Sequence, residues 1–333
     1  MDRESGRRIV VAGGGSWGTA LGHMLAARGH RVTLLVRSAA VATHVSARHE
    51  NPSYLRGMPL HPTLDATTDM TALRTADIIV LSVPCQHLRG WLAAALPHVR
   101  PGTVVVNTAK GLEEETLARC SELVGAIWPE TRYAMLSGPS FAAEVVAGKA
   151  TAVVLACMDE ALGAELRAVF SSPSFRCYSS TDVIGVELGG ALKNVMAIAA
   201  GVCDGLGMGA NTRAALMTRG IAELSRLGAA CGARPLTFMG LSGVGDLMLT
   251  CTGDLSRNRQ VGVRLGRGES LPDIVASLGM VAEGVRTAAA AWKLSRRLDV
   301  EAPIIEAMHD VLHGRRTVRR ALEDLMGREL KEE

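Results

Sequence analysis

The sequence predicts an α/β N-terminal domain with a mainly parallel sheet, followed by an all-α C-terminal domain. Three observations carry this expectation. The first half alternates short, nearly continuous apolar runs with stretches of helical spacing, the pattern of βαβ units whose strands are covered on both faces. A glycine-rich loop follows the first of those runs directly. Past Thr181 the strand signal stops, and the remainder reads as successive helices. A chain of 333 residues, at roughly 100–200 residues per domain, suits two domains. We place the boundary between 1–181 and 182–333.

Strands are expected at 8–13 (RIVVAG), 31–36 (RVTLLV), 77–83 (DIIVLSV), 103–107 (TVVVN), 133–138 (YAMLSG), 151–157 (TAVVLAC) and 175–180 (FRCYSS). Helical spacing fills the gaps, for instance at 19–28 and 86–95, and implies right-handed crossovers. In the second half, helices are expected at 182–206, 211–230, 235–241, 256–266, 271–277, 283–297 and, in pieces, 302–331, with Asp182 as N-cap of the first. Aromatic residues make up only 3% of the chain, so the cores must be built from Ala, Val, Leu, Ile and Met. The net charge of +3 gives no reason to expect a nucleic-acid partner or membrane insertion and leaves an anionic small substrate open. No uninterrupted apolar run reaches the ~18 residues of a membrane span. The seven cysteines show no CxxC pair or Cys/His spacing for a metal, which points to free thiols in a reducing compartment. The N-terminus carries no secretory apolar region, so a cytoplasmic location is expected.

The segment "VVAGGGSWGTALG" places Gly13, Gly15 and Gly18 in a G-x-G-x-x-G pattern between a strand and a helix. In a dinucleotide-binding, Rossmann-like unit the first glycine allows the tight turn. The second lets a pyrophosphate approach the backbone, and the third lets helix and strand pack closely. The helix N-terminus then offers N–H groups to the anion. Ser16 and Trp17 fall inside this loop and are expected to border the cofactor. The second strand ends on Arg37 where an acidic residue would read ribose hydroxyls. A guanidinium there suits a 2′-phosphate, so NADP(H) is expected to be accepted alongside or in preference to NAD(H).

Three further stretches carry chemistry. "VVVNTAKGLEEET" puts Lys110 just after a strand, where open α/β sheets bind ligands. "MLSGPSFAAEV" puts a Gly-Pro turn after another strand, with Ser140 able to cap the helix that follows. "LSGVGDLMLTCTGDLSRNRQVG" carries Asp246, then Ser256, Arg257 and Asn258 at an expected helix start. A serine N-cap with a guanidinium and an amide in the first turn makes a compact anion site. A basic residue there opposes the helix dipole, a misfit that a bound anion would relieve.

Lys193 lies inside the apolar run "VELGGALKNVMAIAAG". On a helix its near neighbours are Gly189, Gly190, Met196 and Ala197, and the small residues on that face leave room for a ligand beside the ammonium. A snorkelling lysine at a wet interface is the plain reading. A partly desolvated lysine that passes a proton is the sharper one.

Taken together, these segments resemble the bacterial NAD(P)-dependent glycerol-3-phosphate dehydrogenases over almost the whole chain, through "GGGSWGTAL", "NTAKGLE", "LSGPSFAAEV", "IGVELGGALKNVMAIAAG", "GDLMLTCTGDLSRNR" and "VAEGVRTA". The resemblance implies Lys193 as catalytic proton-transfer residue and Lys110 as shared by cofactor and substrate. It implies substrate contacts from Gly138, Ser140, Asp246, Ser256, Arg257 and Asn258, and cofactor contacts from Ala142, Arg257, Val281 and Glu283. In the loop "NPSYLRGMPL", Arg56 stands where the family often has proline, and no role is carried over.

The reaction implied is reduction of dihydroxyacetone phosphate to sn-glycerol 3-phosphate, the glycerophospholipid backbone. Asp246 is expected within hydrogen-bonding reach of Lys193. The partners expected are the small-molecule substrate and a second copy of the chain in a homodimer. A 3-hydroxyacid dehydrogenase would also join such domains and use a lysine, but "CTGDLSRNR" argues against it. A silent nucleotide sensor would not need Lys110, Lys193 and Asp246 together.

Overall fold

A computed structural model describes residues 6–278 and 283–328. The chain divides into two compact units: residues 1–110 with 119–183, and residues 111–118 with 184–333. The segment 111–118 therefore packs with the helical unit, although it lies between two strands of the other.

The first unit is built on an eight-stranded sheet in the order β3-β2-β1-β4-β5-β6-β7-β8. Its strands are β1 (Arg8–Ala12), β2 (Arg31–Leu35), β3 (Asp65–Thr67), β4 (Ile78–Leu81), β5 (Val104–Asn107), β6 (Arg132–Ser137), β7 (Thr151–Ala156) and β8 (Phe175–Ser180). All neighbours are parallel except β6 and β7, where Leu136 faces Leu155 in an antiparallel pair. The connection there holds only a five-residue helix, Ala142–Val146. At 1.5 Å per residue that helix spans ~7 Å, too little to carry the chain back along a strand. Strands β1 and β4 sit centrally, which is why "IVVA" and "IIVL" are buried throughout. Strand β3 was not expected: "DAT" is short and polar, and only pairing with β2 makes it a strand.

Apart from the segment 111–118, the described part of the second unit is built of helices and the loops that join them. Its axis is the Val183–Gly205 helix. By length and composition alone that helix could cross a membrane, but 94% of its most apolar window is buried inside the protein. It is the core helix of this unit: Leu188, Ala191, Leu192, Val195, Met196, Ala197 and Ile198 are all inaccessible. The Arg257–Gly266 helix crosses it at glycines. A Cβ at Gly201 would lie 2.1 Å from the Arg259 carbonyl oxygen, and one at Gly262 2.0 Å from that of Ile198. Any side chain at either position would force the backbones apart. This crossing brings the start of the second helix beside Lys193.

One buried carboxylate ties this unit together. Glu223, on the Gly209–Ala230 helix, accepts hydrogen bonds from Ile304 N (2.7 Å) and Ile305 N (3.3 Å). It thus satisfies N–H groups that open the Pro303–Leu312 helix, whose own N-cap, Ala302, has no side chain to do so. Burial pushes the Glu223 carboxyl up to about 7, against the opposing pull of those N–H groups. An acid with a raised folded pKa holds its proton better when folded. Its stabilisation is therefore present at acid pH and lost as pH rises from the unfolded value of 4.5 through about 7. We expect the parent to lose about 1–3 kcal/mol more than Glu223→Gln across that window, read from urea unfolding at each pH. Parallel profiles would show that Glu223 does not titrate there.

Candidate active site

In the first unit, the glycine loop leaves β1 with Gly13 at φ +115°, a backbone conformation closed to most other residues. A Cβ on Gly18 would lie 2.0 Å from the Gly13 carbonyl oxygen, so the helix starts hard against the strand. A Cβ on Gly15 would meet nothing within 4 Å. The Ser16–Ala27 helix begins there, and no side chain among the described residues caps it. An open approach, uncapped N–H groups and a positive dipole end are what a pyrophosphate requires, so these residues fit a dinucleotide. Ser16 is the first helical residue, while Trp17 is half-buried against the sheet core, as is Ala142 at the start of its short helix. Arg37 stands exposed just past β2, followed by Ser38, whose hydroxyl caps the next helix at Val41 N.

The same unit gathers Lys110, Gly138 and Ser140. Asn107 is fully buried and exchanges hydrogen bonds with the backbone of Ala109, in both directions. Thr108 donates to the Leu81 carbonyl at 2.8 Å. These bonds lock the turn that carries Lys110 out of β5. Its Nζ donates to the Gly138 carbonyl at 3.2 Å, and Ser140 Oγ donates to the same oxygen at 3.0 Å. Gly138 has φ +140°, and a Cβ there would sit 2.9 Å from Val153 Cα. The three residues therefore meet at one carbonyl.

In the second unit, Lys193 is 7% exposed and Asp246 1%. Lys193 Nζ donates to Asp246 Oδ1 at 2.5 Å and to Thr250 Oγ1 at 2.6 Å. The expected lysine–aspartate contact is therefore present. Buried charges persist when paired, and here a hydroxyl adds to the pairing. Thr250 in turn donates to the Asp246 carbonyl at 2.6 Å. Thr250 was missed in the sequence, yet it lies four residues after Asp246 and so shares its helix face. The Asp246–Thr252 helix was also missed, because Gly243 and Gly245 obscure its start. It grows out of a single π turn, Leu241–Gly245, a feature common at functional sites.

Gly189 has a different purpose from the one expected. It does not clear space for a ligand: a Cβ there would lie 2.6 Å from the Ser242 carbonyl oxygen. Gly189 lets the π turn rest on the Val183–Gly205 helix, and this brings Asp246 to Lys193. The neighbouring Cys251 is fully buried, and burial pushes its thiol up to about 12, so it stays protonated.

The helix start beside Lys193 carries the expected serine cap. Ser256 is the N-cap and accepts from Arg259 N at 3.3 Å, while Arg257 is exposed. Arg259 is neutralised by Asp204 and Asp254, each at 2.8 Å. Asn258, expected as an anion ligand, is largely engaged as a brace. Its Nδ2 donates to Asn194 Oδ1 at 2.9 Å, and its Oδ1 accepts from Gly284 N at 3.0 Å. It thus links the residue after Lys193 to the Glu283–Arg297 helix, whose first residue, Glu283, is half-buried. Val281 lies outside the described residues. No group of three or more His, Cys, Asp or Glu among the described residues could hold a metal ion.

Residues 8–163 match the family described as NAD-dependent glycerol-3-phosphate dehydrogenase N-terminus, and 182–323 that described as its C-terminus. The chain belongs to the NAD-dependent glycerol-3-phosphate dehydrogenase family. It is therefore an oxidoreductase with a nicotinamide cofactor. Among similar proteins, the glycerol-3-phosphate dehydrogenase (NAD(P)+) of Desulfovibrio desulfuricans is 61% identical over 98% of each chain. That of Geobacter sulfurreducens is 50% identical, again over 98% of each. The crystal structure of glycerol-3-phosphate dehydrogenase from Coxiella burnetii superposes with a TM-score of 0.93 at 34% identity, over 97% of this chain and 99% of that one.

Proposed function

We propose that this chain reversibly reduces dihydroxyacetone phosphate to sn-glycerol 3-phosphate at the expense of NADPH or NADH, with Lys193 as the proton donor. The observation that carries this reading is the buried Lys193–Asp246–Thr250 cluster beside an anion-suited helix start. When bound, the reduced nicotinamide supplies the hydride for the ketone carbon. Lys193 gives its proton to the developing alkoxide oxygen, and in the reverse direction takes it back. Asp246 and Thr250 hold the ammonium in place, so that its aim need not be found anew in each turnover. Ser256, Arg257 and the backbone N–H groups of that helix start hold the substrate phosphate, with one Nδ2 hydrogen of Asn258 in support. Lys110, Gly138 and Ser140 form a second polar group for substrate, with Lys110 also serving the cofactor.

Gly13, Gly15, Ser16, Trp17, Gly18, Arg37, Ala142, Arg257, Val281 and Glu283 make up the cofactor set. The domain 1–181 binds the dinucleotide, and 182–333 supplies the proton-transfer group. Arg37 favours NADP(H) through its 2′-phosphate. The reading extends to a cytoplasmic enzyme that functions as a homodimer and feeds glycerophospholipid synthesis.

Loss of nicotinamide absorbance with dihydroxyacetone phosphate, set against 3-keto acids and with each cofactor, tests this directly. Turnover only with a keto acid would overturn the substrate, and a strong preference for NADH would remove the role of Arg37. Arg257→Ala is expected to raise KM for dihydroxyacetone phosphate by roughly 10- to 100-fold, the loss of a charge-assisted contact. A non-phosphorylated ketone should be little affected. Equal losses for both substrates would refute phosphate binding by Arg257.

A further inference from the structure

A side chain from outside the glycine loop bonds to its backbone. Asn51 is fully buried. Its Nδ2 donates to the Gly14 carbonyl at 3.0 Å and to Thr19 Oγ1 at 2.9 Å. Its Oδ1 accepts from Ser53 N and Tyr54 N, each at 3.1 Å. Two acceptors on one side and two backbone donors on the other assign the amide without ambiguity and saturate it. Thr19, also fully buried, reaches the same Gly14 carbonyl at 3.5 Å.

The consequence follows from peptide geometry. In a planar trans peptide the C=O and N–H point in opposite directions. Anchoring the Gly14 carbonyl on buried Asn51 turns the Gly15 N–H the other way, toward the side where Gly15 has open space. Without that anchor the peptide between these two glycines would be less restrained, because neither has a Cβ to limit its rotation.

We propose that Asn51 is a positioning residue for the dinucleotide: it presets the Gly14–Gly15 peptide so that its N–H faces the cofactor phosphates. Its second pair of bonds ties the 51–54 turn to the same peptide, so the turn and the glycine loop move as one piece. The proposal rests on the reading of the glycine loop as the cofactor site.

NADPH titration followed by nicotinamide fluorescence tests it, on the parent, Asn51→Ala and Thr19→Val, with steady-state kinetics and thermal melts alongside. The dissociation constant for NADPH should rise about tenfold in Asn51→Ala and less in Thr19→Val, as one well-aimed bond to a charged group is lost. At saturating NADPH, kcat and KM for dihydroxyacetone phosphate should stay within about twofold. Unchanged NADPH affinity in the folded variants would overturn the proposal, and so would a joint fall of affinity, kcat and melting temperature. If Asn51→Ala does not fold, the near-isosteric Thr19→Val decides by the same criteria. A parent that binds no NADPH would instead refute the cofactor reading on which the proposal rests.

Discussion

Lys193→Met is expected to lower kcat by roughly 10²- to 10⁴-fold, the range supplied by a positioned general acid. Methionine keeps an unbranched side chain of similar reach and removes only the charge and its protons. Affinity for NADPH should be nearly unchanged, because the glycine loop belongs to the other unit. Affinity for dihydroxyacetone phosphate should fall less than kcat, since Ser256, Arg257 and the helix start remain. Single-turnover oxidation of bound NADPH separates chemistry from binding in this variant. Near-normal turnover would show that the proton comes from elsewhere.

Asp246→Ala is expected to destabilise the protein by about 3 kcal/mol, because it leaves a buried ammonium without its carboxylate. The penalty belongs to the unpaired charge, so it should shrink when the charge is also removed. Lys193→Met in the Asp246→Ala background should recover much of the loss, giving a large coupling energy in a double-mutant cycle. Urea unfolding with an unchanged m-value reads this directly. Additive effects of the two substitutions would show that they do not form one energetic unit. The single variant should also lose activity, since the carboxylate that fixes the direction of the ammonium is gone.

Much of this was legible in the chain, and for local reasons. The apolar runs of β1, β2, β4 and β5 stand out because both faces of those strands are covered. Gly13 and Gly18 could be assigned because the turn and the strand–helix contact they permit lie within six residues. Ser256 could be assigned as a cap because its acceptor role is played toward Arg259, three residues on. Lys193 stood out as an ammonium in an apolar helix, and the search for its partner led to Asp246.

Other features were hidden because their causes are distant in sequence. Asn194 looks like an ordinary neighbour of Lys193 until the helix crossing at Gly201 and Gly262 brings Asn258 to it. Gly189 looked like a vacancy, yet it is where the Ser242 backbone rests. Asn51 reads as a loop residue, and only the folded first unit sets it beneath Gly14. Glu223 carries no local sign of its role, which appears only when the Pro303–Leu312 helix places its N–H groups against it.

The sequence by itself determined the two fold classes and the glycine loop, and it singled out Lys193 as an ammonium inside an apolar helix. These depend on periodicity, turn chemistry and caps, all of which act over a few residues. The tertiary structure decided which polar groups support them: Thr250 under Lys193, Asn258 against Asn194, and Asn51 under the glycine loop. A polar side chain has no preferred partner until packing removes water and leaves one acceptor or donor within reach. For these residues that selection is made across tens of residues of chain, beyond the range of any local pattern.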